Sequence, residues 1–312
     1  MSRIATIGFF DGVHRGHQFL FEHLCKTADE RGLVPLIVSF TNHPRIVLQE
    51  DYMPQLLTTP HEREVLLSRY GEVAMLSFEE VQPLSAKQFM LRLQAEYDVS
   101  VLLMGYDHSF GSDRLKRPQE YRRIGEAIGM EVITLSEYTE GEWHVSSTEI
   151  RTALECGNIA LANELLGRPY SLSGTVVHGK AIGRTIGFPT ANIRPDNPSK
   201  IIPRPGVYMA HVDTPMRNEA PAFVNIDPNR LIEVHIPSFK GDLYDHQLEI
   251  KFLRFIREEK CFEHLEELKS QIKADVDRIE RPMMRFRLGL WVLKYHLKWR
   301  LRSTRGQVEP QQ

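Results

Sequence analysis

Two histidines three residues apart, His14 and His17, lie in the stretch Gly8-Phe9-Phe10-Asp11-Gly12-Val13-His14-Arg15-Gly16-His17. Imidazoles at that spacing, beside glycines that let the backbone approach a ligand, can neutralise charge building on a phosphate oxygen as pyrophosphate leaves. The pair alone is weak evidence, because a single histidine is more often a satisfied polar residue than a catalyst. Here it follows an apolar run, Ile4 to Ile7, and precedes a helical pattern, Gln18 to Glu30. A strand entering a Gly-rich turn and then a helix aims backbone N–H groups at one spot, which attracts phosphate. Gly8, Phe10, Asp11 and Gly12 are therefore candidate nucleotide-binding positions. Farther on, Ser146, Ser147, Thr148 and Arg151 open another helix, offering capping hydroxyls and a positive charge. The chemistry this supports is attack by one phosphate on the α-phosphate of a nucleoside triphosphate. No protein nucleophile is needed, only positioning and positive charge from His14, His17, Arg151 and a magnesium ion.

The elements that must position these residues alternate. Strands are expected at 3–7, 33–40, 73–78, 99–104 and 131–135, and helices at 18–30, 60–70, 85–97 and 118–128. Such alternation predicts an α/β domain built on a parallel sheet with helices on both faces. Ligands of such sheets sit beyond the carboxyl ends of the strands, so the turns at 8–17, 39–45 and 105–111 are expected to converge. Two helices broken at Gly157 then lead to a domain boundary near Gly167-Arg168-Pro169. Beyond it, β-rich runs at 170–178, 206–213, 222–226, 231–236 and 247–255 read as a small antiparallel barrel or sandwich. A helix is expected near 263–279.

Within that second region, Gly179 to Gly187 is a Gly-containing loop bearing Lys180 and Arg184, suited to wrapping phosphates but also an ordinary barrel turn. Pro189 forces an extended chain, so the Thr190 hydroxyl and the Asn192 amide share a face and can offer oxygen to a hard cation.

At 312 residues the chain has room for two cores, and a net charge of -2 argues against a general binder of nucleic acid, DNA included. The three cysteines are far apart and form no CxxC pair, and no uncharged run approaches a membrane span of about 18 residues. A cytoplasmic protein is expected. Residues 281–312 differ: eight Lys or Arg and no acid lie between Arg281 and Arg305, interleaved with Phe286, Trp291, Tyr295 and Trp299. A basic amphipathic helix of that kind binds a membrane surface, RNA or a protein partner, or lays its apolar face on the barrel with its basic face solvated; the last is the expected case.

The stretches GFFDGVHRGH, SFTNHPR, GYDHSFG (105–111) and VSSTEIR (145–151) resemble the bacterial bifunctional riboflavin kinase/FMN adenylyltransferases, or FAD synthetases. Farther along, GRPY (167–170), GTVVHG (174–179) and GRTIGFPTAN (183–192) resemble that family's kinase domain. The resemblance runs from about residue 4 to 275 in the family's order. It implies a Rossmann-like nucleotidyltransferase domain over 1–167 and a riboflavin kinase-like β-barrel over 168–280; the basic stretch 281–312 has no counterpart in it and reads as a C-terminal extension. The substrates and products it implies are riboflavin, FMN, FAD and ATP, with Mg2+. The sequence leaves open whether the chain is a monomer or a homo-oligomer. His14 and His17 match the histidines that hold ATP phosphates, and Ser147, Thr148 and Arg151 a second phosphate-binding segment. Asp107 falls in a loop that touches nucleotide or flavin, where many members carry Asn. Thr190 and Asn192 match the residues that place magnesium and phosphates, and Glu233 the general base on the ribityl hydroxyl.

One departure stands out. Between Ile226 and Glu233 the family carries a Gly-x-x-Pro-Thr stretch that this chain replaces with Asp227-Pro228-Asn229-Arg230. The loop from Ser112 to Pro118 also lacks an expected glycine. The shorter hairpin keeps two alternatives open: an adenylyltransferase with a degenerate kinase domain, and a flavin- or nucleotide-binding regulatory protein.

Overall fold

A computed structural model describes residues 1–49, 53–106, 108–136, 139–140, 143–179, 187–237 and 239–260, with four positions between 267 and 274. Strands β1 (Arg3–Ile7), β2 (Val34–Phe40), β3 (Glu72–Leu76), β4 (Val99–Met104) and β5 (Glu131–Thr134) form one all-parallel sheet in the order β3-β2-β1-β4-β5. Helices α1 (Arg15–Arg31), α2 (Pro44–Leu48), α3 (Pro60–Leu67), α4 (Phe78–Val81), α5 (Ala86–Tyr97) and α6 (Pro118–Ile128) connect them. Ile4, Ile37 and Leu103 lie in one buried cluster and Ala5, Val38 and Leu102 in another, so both faces of the central strands are covered. That double burial is why these strands read as continuous apolar runs. Chain order reverses at β1, between β2 and β4, which makes the ends of β1 and β4 the switch point of the sheet.

The second half closes into a barrel, as the resemblance implies. Strands β6 (Thr139–Glu140) and β7 (Trp143–His144) form a small ribbon, and helices α7 (Ser147–Glu155) and α8 (Ile159–Leu166) follow. Strands β8 (Tyr170–Val177), β9 (Ala191–Pro195), β10 (Gly206–Thr214), β11 (Arg217–Ile226), β12 (Ile232–His235) and β13 (Gln247–Arg257) then run in the closed order β10-β11-β12-β9-β8-β13. Alternate residues of β8, Tyr170, Leu172 and Val176 among them, point into the filled interior, each contributing roughly 1.5–3 kcal/mol of burial. Ile150, Leu154 and Leu165 of α7 and α8 belong to the same buried cluster, together with Leu57.

Two features differ from the expected pattern. Helix α1 starts at Arg15 rather than Gln18, because His14 in extended conformation caps it, accepting from the His17 N–H. The segment after Pro189 is a full barrel strand, β9, paired to both β8 and β12. Residues 1–179 with 191–258 make one compact unit. The helix expected at 263–279 and the basic stretch from 281 fall largely or wholly outside the described residues. Among the described residues no helix is long and apolar enough to cross a membrane.

Candidate active site

The turn after β1 is held in an unusual backbone conformation. Phe10, Gly12 and Val13 have φ of 53°, 81° and 42°, a region that costs a β-branched or bulky residue roughly 1–3 kcal/mol unless its surroundings enforce it. The enforcing contacts come from far away in sequence. The buried Asp11 carboxylate accepts from the N–H of Leu57 (3.0 Å), the N–H of Thr58 (2.9 Å) and the Thr58 hydroxyl (3.1 Å). It also pairs with the Arg151 guanidinium, whose Nε donates to the Gln55 carbonyl at 2.7 Å. Ser147 Oγ donates to the Asp11 carbonyl at 2.9 Å, and the Gly12 N–H to Thr58 Oγ1 at 3.0 Å. The start of α7 is thereby tied to the first turn.

Beside this clamp the two imidazoles stack, with ring centroids 3.5 Å apart and planes 20° from parallel, and the Phe10 ring meets His17 edge-on at 5.2 Å. His14 is buried. Burial, and after it the electrostatic influence of the neighbouring His14, His108 and Arg168, holds His17 well below its ordinary range, so its ring is neutral near pH 7. Among the described residues, His17 Nδ1 is buried with no hydrogen-bond partner, a state that a ligand donor or acceptor would relieve.

A cavity of about 430 Å³ opens beside the pair. It is lined by Gly8, Phe10, His14 and His17 of the first turn, by Tyr106, His108 and Ser109 after β4, by Ser136 after β5, and by Ser146 and Ser147 at the start of α7. The switch-point rule thus holds for two of the three turns expected to converge. The third, 39–45, stands behind the turn: Ser39 Oγ donates to the Phe9 carbonyl at 3.2 Å and the His43 ring meets Phe9 edge-on at 4.6 Å. Thr148 is exposed and does not line the cavity, and Asp107 lies outside the described residues.

Several residues that position this site carry no sequence signal of it. Arg63, fully buried, places its guanidinium 4.1 Å from the Phe9 ring centroid and donates to the Phe40 carbonyl. Lys200 donates to the Leu57 carbonyl at 2.7 Å and to Glu62 at 2.5 Å, joining the barrel side to the 56–62 segment. Arg168 reaches back to the first turn. Such long-range pairs leave no periodicity to read.

On the barrel, Asn192 of β9 is the cross-strand partner of Glu233 of β12, which is in turn the partner of Asn225 of β11. Directly opposed residues share a face, so the three polar groups form a row on the outer wall. Gly179 lies against this row: a Cβ there would sit 2.1 Å from Asn192 Nδ2. The His178 ring stacks on Tyr244 with centroids 3.9 Å apart. Thr190 is partly buried, and Lys180 and Arg184 lie outside the described residues. Strands β11 and β12 are joined by a tight turn, in which Asp227 takes the Leu231 N–H on its side chain at 2.7 Å and gives its own N–H to the Leu231 carbonyl at 3.0 Å. Arg230 pins that turn to the carbonyls of Ile202 and Pro203.

Models of two protein families match the chain, FAD synthetase over residues 1–149 and riboflavin kinase over residues 166–283. The bifunctional riboflavin kinase/FMN adenylyltransferase of Buchnera aphidicola (from Acyrthosiphon pisum) is 33% identical over 286 residues, covering 88% of this chain and 91% of that protein. The chain belongs to this family. Proteins of the same name are 34% identical in Escherichia coli K12, covering 87% of this chain and 90% of that one, and 35% identical in Bacillus subtilis with the same coverage. A crystal structure of a protein described as a macrolide-efflux protein from Streptococcus pneumoniae superposes with a TM-score of 0.80 at 31% identity, covering 88% of this chain and 93% of that one. Family membership therefore spans both the parallel sheet and the barrel.

Proposed function

We propose that this member of the family makes FAD in two steps, phosphorylating riboflavin to FMN with ATP and then adenylylating FMN with a second ATP. The observation that carries the second step is the cavity at the β1/β4 switch point, with the stacked His14–His17 pair on its wall. There an FMN phosphate oxygen attacks the α-phosphorus of ATP. The new P–O–P bond forms as the bond to the β-phosphate oxygen breaks, and pyrophosphate leaves. His14 and His17 bind the phosphates, the turn's backbone and Ser146 and Ser147 orient them, and Arg151 holds Asp11 and adds positive charge.

The kinase step belongs to the row on the barrel. Glu233 takes the proton of the ribityl 5′-hydroxyl as its oxygen attacks the γ-phosphorus of ATP, and ADP leaves. We assign magnesium to this wall, where the Asn192 amide offers a hard oxygen donor and the chain at Gly179 packs directly against it. Asn192 and Thr190 are the protein ligands we assign, and the ion supplies charge neutralisation of the phosphates when bound. Lys180 and Arg184 are assigned to the ATP phosphates on sequence alone. We place both reactions in the cytoplasm.

Incubating the purified chain with Mg-ATP and FMN, and separately with Mg-ATP and riboflavin, then separating the flavins, tests both steps. Failure to form FAD from FMN would sink the first assignment. The tight β11–β12 turn favours one second reading, in which only the adenylyltransferase works, and FMN appearing from riboflavin rejects it.

A further inference from the structure

We propose that Arg168, on the segment entering the barrel, is a positioning residue for the adenylyltransferase turn, holding Gly12 and Val13 in the backbone conformation that presents His14 and His17 to ATP. This deepens the adenylyltransferase reading and rests on it. The guanidinium spans three carbonyls: Nη2 donates to Gly12 at 2.7 Å, and Nη1 to Val13 at 3.2 Å and Leu166 at 3.3 Å. A planar fork suits that task, since one rigid group fixes several acceptors at once. Gln18 Nε2 bridges the Val13 and Leu166 carbonyls from the other side, at 2.8 and 2.9 Å.

These contacts fall where the backbone most needs them. Val13 is β-branched, 2% exposed, and sits at φ 42°, so its conformation persists only where the surroundings determine it. In a trans peptide the N–H points opposite to the preceding C=O. Turning the Val13 carbonyl to Arg168 therefore turns the His14 N–H away from it, at the residue that caps α1. Gly167, at φ 69°, ends α8 in the left-handed conformation that brings the chain, and Arg168 with it, back over the turn. Burial lowers Arg168 only to about 10, against the pull of Glu62, Tyr70 and Asp11 and the push of Arg69, so it remains cationic at neutral pH. The segment leading into the barrel thus supplies part of the turn that binds nucleotide.

The test uses the full-length chain and the variants R168Q, R168K and R204Q. Arg204 bridges the Cys156 carbonyl and Glu258, away from the turn. We expect R168Q to exchange the Gly12 and Val13 amides faster and to lower kcat for FAD formation from FMN by about 10- to 100-fold, the scale of a misplaced reactive group. Its KM for FMN should change far less. R168K keeps the charge but loses the fork, and should be impaired as well; it carries the test if R168Q does not fold. Unchanged amide exchange and kcat in R168Q, full activity in R168K, or an equal loss in R204Q would each overturn the proposal. Wild-type protein that makes no FAD from FMN would instead overturn the adenylyltransferase reading, and the amide exchange would still report on the turn.

Discussion

Asp11 and Arg151, 140 residues apart in the chain, form an ion pair in which the carboxylate is 3% exposed and the guanidinium 22% exposed. The same carboxylate takes three hydrogen bonds from Leu57 and Thr58, so one buried charge joins the first turn, the 55–59 segment and α7. Neutralising it leaves Arg151 without its counter-ion. Asp11→Ala should lower unfolding free energy by about 3–5 kcal/mol in chemical denaturation. Asp213→Ala, removing a pair with Lys251 in which both side chains are about a quarter exposed, should cost under about 1 kcal/mol.

Separate sites predict separable losses. His17→Asn should reduce FAD formation from FMN by roughly 10²- to 10³-fold, the scale of removing one preorganised group that stabilises developing charge. Phosphorylation of riboflavin should persist in the same preparation. Equal loss of both products would contradict an independent adenylyltransferase cavity.

Glu233 occupies the middle of the Asn192–Glu233–Asn225 row. Glu233→Gln keeps the shape and removes the base, so riboflavin phosphorylation should fall by roughly 10²- to 10⁴-fold. FAD formation from supplied FMN should stay within error of the wild type. A drop in both would mean that Glu233 supports the barrel rather than the reaction.

His17 also makes stability depend on pH. Its folded value lies well below 6.5, first because burial penalises the imidazolium and then because His14, His108 and Arg168 repel it. The unfolded chain binds this proton at higher pH than the folded one. The contribution of neutral His17 is therefore present above 6.5 and is lost as pH falls below that value. His43 is lowered as well, mainly by burial, and adds in the same direction. Comparing unfolding free energies at about pH 8 and about pH 5, the wild type should lose more stability than His17→Asn, which lacks the titrating ring.

The amino-acid sequence by itself determined which residues could do chemistry and roughly where the chain would bring them. Apolar runs such as 4–7 and 99–104, short and nearly without polar residues, read as strands buried on both faces, and they are. With those strands in a parallel sheet, the His14–His17 turn and the 105–111 loop had to end at the same edge. The tertiary structure alone decided how the turn is held. Asp11 read as a ligand contact, yet its carboxylate is occupied by Leu57, Thr58 and Arg151. Arg63 gave no local signal, and Arg168 read only as part of the GRPY stretch at the barrel entrance, because hydrogen bonds to carbonyls 23 and 156 residues away impose no pattern on neighbouring residues. The depressed His17 is likewise a product of burial and of charges from three separate segments. Periodicity records which face of an element meets the core; it does not record which distant group satisfies a buried carbonyl or charge, and here those groups shape the turn on which the histidines sit.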